Sequence, residues 1–469
     1  MIVIASVPHV DTEEPIMAPA LLKSVLASHN INSVALDLNI DIVNQVNVHK
    51  HKHKLLDFFY SEQRHPEVRK DIQEIIEYCS NKILSKNPTL VSLSLLVYTC
   101  QFFTRWLCAS LKHKNPELRI VIGGAGIRNF VGENNLDFCH NLKKLKLIDD
   151  FIVGDADDTF VDFIRGVKDL PGVNTIQWTQ VSDLNQTVYP DYDDYNFDDY
   201  TTPTIPIIDS RGCIKNCEFC DVIEYWKKYQ YRTADNIWKE MLYQLDKYSV
   251  RTFSLRSSLT NGNLKEFRKL MTLMSDYNEG LDESEQISWN GYFILRNAKA
   301  HTDELWHKIK KSNGTLLIGI ESVVSDVRHG LGKTFEDEDI DWNLDLAQKY
   351  EIPIVLLIIV AYPTETLEDF EYTKQWFRER KQYAGNSVVA VSLSFASILP
   401  GTKLARKSEE YNIKRGSLPS VWLNEELNIP SKVRTQYLRD LYDICANECG
   451  FNTLTNEETL KHTEQEDNF

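Results

Sequence analysis

Short apolar runs alternate with longer stretches of helical period along most of the chain. In residues 1–170 the β-rich runs are Ile2–Ser6, Ser33–Leu38, Leu90–Leu95, Arg119–Ile122 and Asp150–Val153. Between them, apolar positions recur at helical spacing over Ala18–Ser28, Val68–Leu84, Phe102–Leu111 and Thr159–Val167. Repeated strand–helix order predicts an α/β domain with a doubly wound, Rossmann-like parallel sheet. Ligands of such sheets sit at the carboxyl ends of strands, where Pro8–Pro15, Val97–Gln101 and Gly123–Gly126 fall here.

Residues 171–203 break the pattern. They are rich in Asp, Tyr, Thr and Pro and lack helical period, which predicts a linker packed on its aromatic rings with its acids in solvent. A second series then begins. Strands are expected at Ile205–Asp209, Thr252–Leu255, Ile287–Tyr292, Leu316–Ile320, Ile354–Val360 and Val388–Phe395. Helices are expected at Ala234–Tyr248, Leu264–Ser275, Asp303–Lys311, Glu338–Tyr350 and Leu367–Arg380. Six such units predict a partial (β/α)6 barrel over residues 204–402. A small extension, residues 403–469, is irregular, then helical at Ser431–Glu448, and ends in a polar tail from Thr453.

Composition narrows the function. The apolar fraction is 42%, enough for large cores, and 52 basic against 68 acidic residues give a net charge of −16. That balance opposes non-specific binding to nucleic acid or to an anionic membrane. The longest apolar run, Ile352–Tyr362, contains Pro353 and falls well short of the roughly 20 residues that span a bilayer. The first residues lack a basic stretch and a cleavage pattern, so a cytoplasmic protein is expected. Nine cysteines, an odd number, argue against a disulfide framework and for metal use wherever they cluster.

They cluster once, as Cys213-Ile-Lys-Asn-Cys217-Glu-Phe-Cys220. Soft thiolates suit iron–sulfur or zinc. Structural zinc takes four ligands, and no fourth cysteine lies nearby. Three ligands leave one metal position open, which is where chemistry can occur. The triplet also follows the first strand of the second series, at the end where barrels place their sites. Elsewhere packing is expected. Cys445 and Cys449 are too few for a second cluster, Cys100 is a lone thiol, and Trp289, Tyr292 and Phe293 line the barrel or fill its core. The His49–Lys54 stretch is expected as an exposed lead-in to a helix, because its lysines repel a cation.

The CxxxCxxC spacing, with an aromatic before the third cysteine, resembles the radical S-adenosylmethionine (SAM) superfamily over residues 204–402. The resemblance implies a [4Fe–4S] cluster on Cys213, Cys217 and Cys220, with SAM chelating the fourth iron and cleaved reductively to a 5′-deoxyadenosyl radical. It places Phe219 against the adenine, and Glu321 and Ser322 of Gly319-Ile-Glu-Ser at a SAM contact. Lys333 and the Pro400-Gly401-Thr402 turn match positions seen in related enzymes. Arg296, after the third strand, is a candidate clamp for the SAM carboxylate, with a surface salt bridge as the alternative. One departure stands out: the Gly-Gly-Glu that follows the second strand in many members is replaced by Ser254-Leu-Arg-Ser-Ser-Leu-Thr-Asn261. Ser254, Ser257 and Asn261 are its candidate substitutes. The family also implies an external flavodoxin- or ferredoxin-type electron donor and a small-molecule or peptide substrate.

The sheet domain ahead of the barrel resembles the cobalamin-binding branch. Ser94 ends one strand, Gly123 and Gly124 end the next, and Val153-Gly-Asp-Ala-Asp157 resembles that branch's acidic glycine turn. The Asp-x-His-x-x-Gly motif is absent, because Asn39 stands where the histidine would be. With cobalamin, the expected outcome is methyl transfer to an unactivated carbon. Two alternatives stay open: a radical rearrangement, cyclisation or oxidation with a structural N-terminal domain, and a non-catalytic iron–sulfur scaffold.

Overall fold

Alternate residues of the first strand serve opposite sides of a sheet, and that period of two organises the N-terminal half. Val3 and Ala5 of β1 (Ile2–Ser6) join one buried cluster, while Ile2 and Ile4 join another. With β2 (Ser33–Asp37), β3 (Leu90–Ser94), β4 (Arg119–Gly123) and β5 (Asp150–Ile152), the sheet order is β2–β1–β3–β4–β5, parallel throughout. The order reverses between β1 and β3, which is where ligands of such sheets bind. This computed structural model describes residues 1–9, 14–61, 65–128, 136–226, 228–416, 422–424, 426–427 and 431–454. Part of the Pro8–Pro15 loop and most of the polar tail lie outside them.

Contacts divide the chain into two units, Met1–Pro206 and Ile207–Phe469. Residues 171–203 fall in the first. Tyr192 and Tyr200 are buried there, as the aromatic pattern predicts. The acids of this stretch do more than face water, because Asp191 and Asp194 pair with Lys23 at 3.2 and 2.7 Å and Asp194 accepts the Ala35 N–H. Asp37 is a second tie. It caps the helix Leu38–Asn47 and accepts hydrogen bonds from Ser6 and from Tyr200, both at 2.7 Å. Asn39 is buried and accepts the His9 N–H at 2.8 Å.

β6 (Thr204–Ile207), which spans the unit boundary, heads a second sheet with β9 (Thr252–Leu255), β10 (Ser288–Phe293), β11 (Gly314–Glu321), β12 (Ile354–Val360) and β13 (Val388–Phe395), in chain order. Between β6 and β9 lies a two-residue antiparallel pair, β7 (Ser210–Arg211) with β8 (Gln230–Tyr231). β9 through β13 pair in parallel. The returning helices begin at side-chain caps: Thr233, Asn263, Thr302 and Thr366 each accept an N–H of the first turn. The extension packs back on this sheet rather than standing apart. Trp422 donates to Ala396 O, Asn424 donates to Pro363 O, and Val391 of β13 bonds Asn452 O and the Leu454 N–H. A hairpin of β14 (Ile413–Arg415) with β15 (Trp422–Asn424) and the helix Ser431–Asp443 complete it.

β6 leads into Asp209, which is 4% exposed. Ser257 donates to one carboxylate oxygen at 2.9 Å, and the other oxygen has no partner. Burial pushes this carboxyl up to about 7, against the pull of Ser257 and Arg232. An acid raised above its unfolded value costs nothing while both states are protonated; its penalty grows as pH rises from the unfolded to the folded value and levels off above that. The second unit should therefore lose stability between pH 4 and 7, on the order of 4 kcal/mol in full. Asp209→Asn should gain on the wild type at pH 8 and not at pH 4, read as urea midpoints; parallel midpoints at both pH values would contradict this.

Candidate active site

The β7–β8 pair closes the neck of an excursion that carries all three cysteines of the triplet. Gly212 makes the closure possible. Its φ is +81°, and a Cβ there would lie 2.9 Å from Lys228 O. Beyond the neck the chain turns through Cys220 N–H to Cys217 O at 3.2 Å and into the short helix Val222–Tyr225. Gly332 abuts the loop from the side, where a Cβ would sit 3.2 Å from Cys217 Cα.

Cys213, Cys217 and Cys220 line one wall of a cavity of about 540 Å³, together with Phe219. The opposite wall is the inner face of the sheet: Tyr292 on β10, Leu317 and Gly319 on β11, Leu357 and Ile359 on β12, Ser392 and Ser394 on β13. Most of this lining is apolar, and the size is that of a small-molecule site. Burial pushes the Cys220 thiol up to about 12 and Cys217 up from its ordinary value, with Lys333 opposing the shift at Cys217. Thiolate here therefore requires a bound cation, and metal binding would release protons. Among the described residues, no three His, Cys, Asp or Glu side chains are gathered as ligands of a single metal ion. A cubane cluster spreads its thiolates over separate irons, so the triplet suits a cluster better than zinc.

At the cavity's rim, β11 ends in irregular backbone. The pairing with β12 shifts between Gly319 and Glu321, and Glu321 has φ +66°. Non-glycine residues rarely adopt this conformation, and it concentrates at functional sites. It aims the Glu321 carboxylate at Lys333, 3.1 Å away. Lys333 also donates to Gly319 O at 3.0 Å. Burial alone would lower the Lys333 ammonium, but Glu321 and the Cys217 sulfur outweigh it and hold it above its ordinary value. A Cβ at Gly319 would lie 2.2 Å from Glu321 Oε1, so a larger residue there would push that carboxylate aside.

The remaining candidates fall elsewhere. Ser322 is buried and accepts the Val324 N–H, outside the cavity lining. Arg296 donates to the Asn261 and Gly262 carbonyls at 3.2 and 3.3 Å, also outside it. Ser254 bonds Asn290, Ser257 bonds Asp209, and Asn261 is held by Ile294 and His301. Ser258 and Leu259 are what that loop presents to the cavity. In the first unit, Ser94 accepts the Val7 N–H, and Leu95 bonds Gly123 O. A Cβ at Gly124 would lie 2.3 Å from Leu95 O, and one at Gly126 2.3 Å from Val97 O. These two glycines serve the chain's own packing. Beside them Leu96 and Val97 are 46% and 40% exposed. Cys100 donates to Pro8 O, and burial pushes its thiol to about 11. Cys445 and Cys449 are buried.

Sequence reasoning missed Glu218 and the serines of β13. Glu218 is a charged residue inside the motif yet is 7% exposed. The serines carried a signal, because Ser392 and Ser394 alternate with apolar residues and so share a face.

Comparison with known proteins bears on the second unit and on the fold. The radical SAM superfamily profile matches residues 207–377. An uncharacterized methyltransferase of Pyrococcus horikoshii is 22% identical over 347 residues, 69% of this chain and 70% of that protein. The ribosomal protein uS12 methylthiotransferase RimO of Thermotoga maritima is 26% identical over 185 residues, 36% of this chain and 40% of its own length. In structure, the chain is similar to TsrM of Kitasatospora setae, a radical SAM methyltransferase solved with tryptophan and a SAM analogue. The TM-score is 0.69 at 12% identity, over 98% of this chain and 92% of TsrM. OxsB, a cobalamin-dependent SAM radical enzyme solved with aqua-cobalamin and SAM, gives 0.68 at 13% identity, over 95% and 66%. At such identities the likeness is one of fold: an α/β domain followed by a partial barrel. The profile starts at the strand that delivers Cys213 and runs into the helix after β12, and over that stretch the chain is similar to the radical SAM superfamily.

Proposed function

We propose that the protein carries a [4Fe–4S] cluster on Cys213, Cys217 and Cys220, takes SAM into the adjoining cavity, and transfers a methyl group with cobalamin held by its first unit. The observation that carries this reading is the three-cysteine wall of a largely apolar 540 Å³ cavity. When bound and reduced, such a cluster supplies the electron that breaks a carbon–sulfur bond of SAM. Phe219 offers the SAM adenine a flat apolar face, and the β11–β12 wall keeps water from the reacting atoms. Glu321, neutralised by Lys333, is the polar anchor at the rim and stands in for the missing Gly-Gly-Glu. The electron would come from an external flavodoxin- or ferredoxin-type protein, and the substrate would be a small molecule or a peptide.

Cobalamin, when bound, supplies a carrier for the methyl group. Its support is the fold likeness to TsrM, one of whose structures holds cobalamin and a [4Fe–4S] cluster, and the exposed Leu96 and Val97 at the switch point of the first sheet. A second reading has its own observation. Gly124 and Gly126 are occupied by backbone packing, which suits a structural first unit and a radical rearrangement, cyclisation or oxidation. No helix among the described residues is long and apolar enough to cross a membrane.

Anaerobic reconstitution with iron and sulfide should give the wild type a 4Fe–4S spectrum and Cys217→Ala none; equal spectra would refute the cluster assignment. Gly319→Val should part Glu321 from Lys333 and weaken SAM binding by about tenfold or more at unchanged iron content, measured by calorimetry. Unaltered affinity would remove the rim pair from SAM binding. Hydroxocobalamin should co-elute with the wild type and shift its visible bands; a protein peak without cobalamin bands would select the second reading.

A further inference from the structure

The cysteine loop is also held by residues outside the cavity lining. Glu218 lies between Cys217 and Phe219, yet it is absent from the cavity lining. Its Oε1 accepts Lys407 Nζ at 2.6 Å. Its Oε2 accepts Tyr411 OH at 2.9 Å and Tyr362 OH at 3.3 Å. The backbone is tied as well: Glu218 N–H donates to Leu331 O at 2.9 Å, and Leu404 N–H donates to Glu218 O at 2.8 Å. Lys403 Nζ reaches Asn216 O at 3.2 Å, one residue before Cys217. Every polar end of Glu218 is thus fixed, and most of the partners come from one stretch, Thr402 to Ile413.

A buried carboxylate is costly unless it is paired, and it can pair here only when the loop takes this path. The loop has little regular hydrogen bonding of its own, so the pairing selects among its conformations. We propose that Glu218 is a positioning residue of the cluster site and that the Thr402–Ile413 segment is a strap, through Lys407 and Tyr411, that keeps the three cysteines in ligand-ready geometry. The inference rests on the cluster reading of the triplet.

The test uses the full chain and three readouts. Amide exchange of residues 214–222 is measured in cluster-free protein, and iron release to a chelator is measured after reconstitution, with the EPR signal of the reduced cluster. Lys407→Met should speed both rates by about tenfold and perturb the signal. Glu218→Gln should act in the same direction, and Lys407→Arg should return both rates to within about twofold of wild type. Arg378→Gln, which breaks the surface pair with Glu448 in the same unit, should leave both unchanged. Wild-type rates in Lys407→Met and Glu218→Gln, or an equal acceleration in Arg378→Gln, would overturn the strap. A wild type that takes up no cluster would sink the cluster reading, and loop exchange in cluster-free protein would still decide the strap.

Discussion

Two of the three clustered thiols, Cys217 and Cys220, sit where burial opposes their becoming anions. That constraint organises the second unit. Burial raises Cys217 and Cys220, so their ionised form depends on positive charge brought to the wall of the cavity. Lys333 is the protein's own contribution, and Glu321 keeps it ionised there. Glu321 reaches it only because β11 breaks its pairing at Gly319 and turns through a left-handed residue. The irregular strand end, the glycine and the ion pair are thus one device, set on the wall that faces the cysteines.

Much of this was legible in the sequence. The strands of both sheets and the helices Ala234–Tyr248 and Asp303–Lys311 fall where the apolar period puts them, the helices because each buries a single face against a parallel sheet. The cysteine triplet was visible as spacing, and Glu321 as a polar exit from an apolar strand. What escaped depends on contacts between distant segments. Glu218 looks like a solvated residue until Tyr362, Lys407 and Tyr411 are brought to it over more than a hundred positions of chain. Ser254, Ser257 and Asn261 looked like candidate ligand groups, and local sequence could not reveal that each is engaged by Asn290, Asp209 or Ile294. The antiparallel β7–β8 pair is two residues long, too short to leave a periodic signal.

The two units solve the same problem differently. In the first, acids are spent on architecture: Asp37, Asp191 and Asp194 bind the tyrosine-rich stretch to the sheet, and Asn39 holds the backbone at His9. Its strand ends then present apolar side chains, Leu96 and Val97, rather than charge. In the second, charge gathers at the cavity rim and around the cysteine loop, while the floor of the sheet stays apolar or hydroxylic. A planar apolar ligand and a charged, metal-chelating one would each find the surface chemistry that suits it.

The bonds from Val391 to Asn452 and Leu454 have a consequence of another kind. β13 is the last strand of an open sheet, and its outer edge carries backbone groups that seek a partner. The closing residues occupy part of that edge. A chain cut before Asn452 would keep its cysteines and its cavity but would offer a bare strand to other molecules, so the segment guards against self-association as well as finishing the fold.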